Sequence, residues 1–163
     1  MHSNAHTPIA NAGIISINHE VIIHAHPKTL DISQIYVQNE RVFNECDYLF
    51  KRHKVKFSIA LLKANQSFEF DCDYIREFIR LTDKLIRVDS KHLIILYTFT
   101  DLYIAEKALI RLEKTLLSKS NSKTNSIFTC TLIEKCKNET TKTLLRILDL
   151  KIETFSSGIH TVE

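Results

Sequence analysis

The densest chemistry in this chain is Asp89-Ser90-Lys91-His92, which puts a carboxylate, a hydroxyl, an amine and an imidazole within four positions. Acid–base or nucleophilic work would need that mixture held in a cleft; by itself it reads as a solvated turn. Just upstream, Arg80 and Asp83 stand three residues apart, the spacing at which a guanidinium and a carboxylate form an ordinary surface ion pair. His24 and His26 would share one face of a strand, with His19 at the adjoining turn. No Cys or carboxylate accompanies them at ligand spacing, so no metal site is read there. Cys46, Cys72, Cys130 and Cys136 lack C-x-x-C spacing and read as reduced thiols. Two glycines in the whole chain cannot furnish a glycine-rich phosphate cradle.

Elements must position these groups. Residues 93–97, Leu-Ile-Ile-Leu-Tyr, have the length and branched content of a strand buried in mid-sheet, and the 89–92 turn joins it to a short polar strand. Residues 56–62 predict a second apolar strand that ends at Lys63. Residues 127–133 alternate threonine with apolar side chains, which predicts a strand with one exposed face. Helical spacing appears over 31–52, with a start near Ser33 or Asn39, and over 66–79, with Tyr74, Ile75, Phe78 and Ile79 on one face. It recurs over 102–117, with Leu102, Ala105, Leu109, Leu112 and Leu116 in one stripe, and over 140–155, with Leu144, Leu145, Leu148 and Ile152 inward. A last strand is predicted over 159–162, and 118–126 is a polar, serine-rich loop. At the other end, 1–12 reads as a loose arm and 13–26 as an apolar β-hairpin. The chain divides into that arm and hairpin, 1–30, and an α/β (α+β) body, 31–163.

In this order the body resembles the GGDEF domains that make cyclic di-GMP. Arg80, Asp83, Arg87 and 93–96 fall without a gap on that family's Arg-x-x-Asp, five residues, Gly-Gly-Asp-Glu-Phe and apolar strand. Asn39-Glu40-Arg41-Val42-Phe43 is similar to its opening Asn-Arg-Arg-x-Phe, and Leu144-Leu145-Arg146-Ile147-Leu148-Asp149 to its Leu-Leu-x-x-Ala-Asp. Gly158 falls on its Gly before the last strand. The resemblance covers 33–162 and implies a ferredoxin-like, nucleotide-cyclase-type sheet of parallel and antiparallel strands with helices packed on it. It also marks what has been replaced. Asp89, Ser90, Lys91 and His92 stand where the family has Gly, Gly, Asp and Glu, and Lys63 where a strand-end Asp holds a cation. Ser156 stands at a phosphate-binding Lys and His160 at an Asn. The segment that grips guanine is missing, and so is the Leu-Thr-Gly-Leu signature.

That family's reaction needs two carboxylates to hold two divalent cations on a triphosphate, and Lys63, Lys91 and His92 do not furnish them. The resemblance therefore implies a degenerate, catalytically inactive signalling domain of bacterial type, without cofactor or metal, that acts by contacting protein, itself or a partner. Arg80 and Asp83 keep the family's inhibitory site for its product, where Arg forks onto phosphate and guanine and Asp accepts from the guanine edge. A receptor for cyclic di-GMP is accordingly the alternative. A second alternative is an unrelated enzyme on the same fold, using Asp89, Lys91 and His92.

Composition limits the remaining classes. With 163 residues, 44% hydrophobic and 25% charged, this is an ordinary single-domain composition, and a net charge of +3 makes no case for nucleic acid. The basic run Lys51-Arg52-His53-Lys54-Val55-Lys56 reads as a solvated connection. No apolar run approaches the ~18 residues of a membrane span, so the expectation is a cytoplasmic chain without membrane contact.

Overall fold

The apolar runs at 57–64 and 92–98 and the threonine-alternating run at 128–134 become the inner strands of one five-stranded sheet in the computed structural model, which describes residues 29–120 and 126–162. The hairpin expected over 13–26, with His19, His24 and His26, lies outside the described residues. Central β1 (Phe57–Ala64) is flanked by β3 (His92–Thr98) and β4 (Phe128–Glu134), antiparallel to both. Shorter β2 (Lys84–Arg87) extends β3 antiparallel, and β5 (Gly158–Thr161) extends β4 in parallel, giving the order β2-β3-β1-β4-β5. Both edge strands are short and carry polar side chains, which suits positions with unpaired backbone groups.

Alternation along β1 splits the core in two. Phe57, Ile59 and Leu61 face α1 (Ile32–Gln38), α2 (Glu40–His53) and α5 (Thr141–Ile152). Ala60, Leu62 and Ala64 face α3 (Cys72–Arg76) and α4 (Leu102–Ser120). The inward stripes expected on the last two long helices are the buried ones: Ala105, Leu109, Leu112 and Leu116 on α4, and Leu144, Leu145, Leu148 and Ile152 on α5. Each fully buried leucine contributes roughly 1.5–3 kcal/mol by leaving water. This is an α+β fold with helices on both faces of a mixed sheet, as the residue patterns and the resemblance imply. Among the described residues no helix is long and apolar enough to cross a membrane.

Three expectations are corrected. The helix over 31–52 is two helices, because the Asn39 side chain donates to the Ile35 carbonyl at 2.9 Å and draws the backbone out of helical geometry. The helix over 66–79 is only α3. Its first residues are held as loop by backbone bonds from Phe68 to Asn65 and from Phe70 to Ser90, and after Arg76 the bonds tighten to Glu77–Tyr74 and Phe78–Ile75 and stop. The threonine-rich strand has no exposed face: Thr131 is fully buried and donates to the Leu148 carbonyl at 3.2 Å, while Thr129 donates to the Ser156 carbonyl at 3.4 Å. The hydroxyls that looked solvated bond the C-terminal half of α5 and the loop after it.

Candidate functional site

The register of the sheet separates the candidate residues into two groups. Lys63 lies opposite His92 and Thr129 at one end, whereas Thr98, which contacts the Arg80–Asp83 turn, lies opposite Phe57 at the other. Six strand steps from His92 to Thr98 put roughly 20 Å between the two ends.

At the first end every candidate side chain with charge is already engaged. The Lys63 ammonium sits 2.7 and 2.8 Å from the two carboxylate oxygens of Glu153, the residue that follows α5. Lys91 reaches across the turn and donates to the Gln66 and Phe68 carbonyls at 3.1 and 2.6 Å. Asp89 closes its own turn, accepting from the Lys91 and His92 backbone N–H groups at 2.7 Å and lying 3.0 Å from His92 Nδ1. Burial opposes ionisation of Asp89, but those N–H donors and the His92 ring outweigh it and hold the carboxyl below its usual range. Ser90 lends its carbonyl to Phe70. Ser156 is exposed and uses its carbonyl, not its hydroxyl, toward Thr129. His160 lies flat on Phe155, ring centroids 3.8 Å apart, with Nε2 2.6 Å from the Ser157 carbonyl. Gly158 makes that loop possible, since its φ of 86° is in the region that favours glycine.

The donor set at this end does not fit divalent cations. Lys63 and Lys91 bring positive charge, the Glu153 carboxylate is neutralised by Lys63, and Asp89 is committed to its turn. Among the described residues no three His, Cys, Asp or Glu side chains gather as a metal site. Asp89, Lys91 and His92 do come together, as a hydrogen-bonded turn.

At the second end Arg80 and Asp83 are neighbours without forming the expected ion pair. Asp83 is buried, and its carboxylate accepts from the backbone N–H of Arg80 at 3.2 Å and of Thr98 at 3.1 Å. Burial outweighs those donors and raises its pKa. The Arg80 guanidinium is exposed and lines a groove of about 510 Å³ between this turn and α4. Ile104, Ala108, Arg111 and Thr115, at i, i+4, i+7 and i+11 of α4, form its opposite wall, with Lys114 beside them.

Sequence reasoning missed several partners. Glu153 was unremarkable until the fold laid it against Lys63, 90 residues away. The same holds for Asp47, which accepts from buried Lys135 at 2.8 Å and from the Thr141 N–H and hydroxyl at 3.0 and 2.8 Å. Arg111, off the apolar stripe of its helix, carries no local sign of the groove it lines. No local spacing signals such contacts, since each joins elements far apart in the chain.

No protein-family model matches the sequence, and no curated protein is detectably similar to it. Solved structures are similar in fold. The GGDEF domain of DgcB from Caulobacter crescentus, in complex with c-di-GMP, superposes with a TM-score of 0.62 at 8% identity, over 83% of this chain and 96% of that one. The GGDEF domain of FimX from Pseudomonas aeruginosa gives 0.59 at 10% identity, over 83% of this chain and 100% of that one. The diguanylate cyclase SiaD of Pseudomonas aeruginosa, in complex with its activator SiaC, gives 0.61 at 15% identity, over 78% of this chain and 57% of that one. The body of this chain therefore has the fold of GGDEF domains.

Proposed function

We propose that this chain, with the fold of GGDEF domains, is a catalytically inactive relative of diguanylate cyclases that acts by contacting protein. The observation that carries the reading is the Lys63 ammonium held against Glu153 at the end of β1. The resemblance expects a cation-holding carboxylate there, and an ammonium already paired with Glu153 offers a magnesium ion no ligand. Lys91 tied to two carbonyls and the committed Asp89–His92 turn support the same reading. Protein contact is supported by the likeness to SiaD, a cyclase captured with its activator SiaC. Calorimetric titration of GTP with magnesium into the purified chain tests it. No saturable heat is expected, and saturable binding that Lys63→Ala abolishes overturns the reading.

A second reading is favoured by one observation, the exposed Arg80 on a groove that also holds Arg111 and Lys114. Three cations around one concavity suit an anion, and the resemblance names cyclic di-GMP as that anion. The DgcB domain with c-di-GMP bound supports it by fold. The Asp83 carboxylate works against it, being already engaged by two backbone donors. Titration of cyclic di-GMP into the native chain and Arg80→Ala decides: binding lost in the variant supports the receptor, and no heat from the native chain ends it.

A further inference from the structure

The corner between β3 and α4 holds Phe99 at a φ of 56°, in the left-handed region where a bulky side chain is strained. Its ring gains nothing from the core, since 64% of the residue is exposed. Both neighbours are pinned: the Thr98 N–H and hydroxyl donate to Asp83 and to the Thr82 carbonyl, and the Thr100 carbonyl accepts from Ser58 at 3.1 Å. A strained, solvent-facing aromatic fixed by its surroundings points to contact with something outside the chain. Leu81, fully exposed, precedes Thr82 as Phe99 follows Thr98, so both residues adjoin the Thr82–Thr98 contact in the chain. Phe78 and Ile104, also exposed, line the adjoining groove.

Charge gives the occupant its chemistry. Arg80, Arg111 and Lys114 line that groove, and among the described residues none of them is ion-paired. The only carboxylate of the lining, Asp83, is buried on backbone donors. A surface of apolar side chains rimmed by unpaired cations complements an amphipathic segment with apolar anchors and carboxylates. The first 28 residues of this chain offer only Glu20 as a carboxylate and are a poor match by charge.

Resting on the protein-contact reading above, we propose that the groove between the Arg80–Asp83 turn and α4, whose lining residues Arg80 and Thr100 adjoin Leu81 and Phe99 in the chain, docks an acidic amphipathic peptide segment of a partner protein. The test is fluorescence anisotropy on the full chain with a synthetic labelled peptide, leucines along one helical face and glutamates elsewhere, beside a twin with lysines for the glutamates. The glutamate peptide is expected to saturate and to bind about tenfold or more tightly than its twin, with affinity falling as salt rises. Arg111→Glu with Lys114→Glu should lower that affinity by a similar factor. Phe99→Gly should weaken binding several-fold while the thermal midpoint stays or rises, which separates lost docking from lost folding. Equal binding of the twins, no saturation, or indifference to the charge reversals overturns the proposal. So does groove occupancy by cyclic di-GMP without the peptide, or by a second copy of the chain in sedimentation, seen as a dimer that the charge reversals dissolve. These failures leave the GTP titration untouched, so inactivity stands or falls separately.

Discussion

Asp83→Ala should lower stability by about 1–3 kcal/mol, because it strands the backbone N–H groups of Arg80 and Thr98. Arg80→Ala, whose side chain is exposed, should change it by under ~0.5 kcal/mol. Urea unfolding of the two variants checks the contrast, and equal losses would mean that Arg80 also holds the turn. A pH effect belongs to Asp149, which is buried and accepts from the Leu30 N–H at 3.4 Å. Burial raises its pKa, with Glu153 adding to the rise, while the Leu30 N–H, His92 and Lys63 oppose it. The folded state therefore holds this proton more tightly than the unfolded chain. Its contribution is most favourable below the ordinary carboxylate range and is lost as pH rises through the raised value. Asp149→Asn should accordingly be the more stable protein at neutral pH, with the gap closing as the medium is acidified toward ~4. A urea midpoint series for both proteins measures this; a gap that widens on acidification contradicts it.

Elements were legible where one residue type dominated. The run at 93–97 could only be an inner strand, and the stripes on α4 and α5 needed nothing beyond their own spacing. Elements decided by remote partners were not. The threonines of β4 read as solvated because their acceptors lie on α5 and the loop after it, and α3 is short because a backbone bond to the next hairpin's Ser90 holds Phe70 outside it. The site was half legible: the charged turn at 89–92 and the lysine ending β1 stood out, but the lock on Lys63 depends on Glu153. A similar cross-brace ties α2 to the start of α5, where Asp47 takes Lys135 and both donors of Thr141. Lys135 is 3% exposed, so Asp47→Ala leaves its charge buried and should cost about 3–5 kcal/mol. A loss under ~1 kcal/mol in chemical denaturation would show that Lys135 finds water instead.

At the scale of the molecule, the sheet keeps its ends apart, with internally satisfied charges at one and unpaired cations beside exposed apolar side chains at the other. Placing a single acid at the end of β1 should not reverse this. Lys63→Asp sets a carboxylate against Glu153 and should cost about 1 kcal/mol, because repulsion replaces an ion pair only partly open to solvent, while Lys91 still brings its charge to the turn. Melting curves of that variant beside the native chain check the loss, and an unchanged midpoint would mean that the Lys63–Glu153 pair contributes nothing to the fold. Inactivity on a GGDEF fold, as proposed, is tested by turnover itself. The full chain is incubated at high concentration with GTP and either magnesium or manganese, and the products are separated by chromatography. GTP is expected to be recovered unchanged with no cyclic di-GMP formed; accumulation of cyclic di-GMP in proportion to the amount of chain would overturn the proposed inactivity.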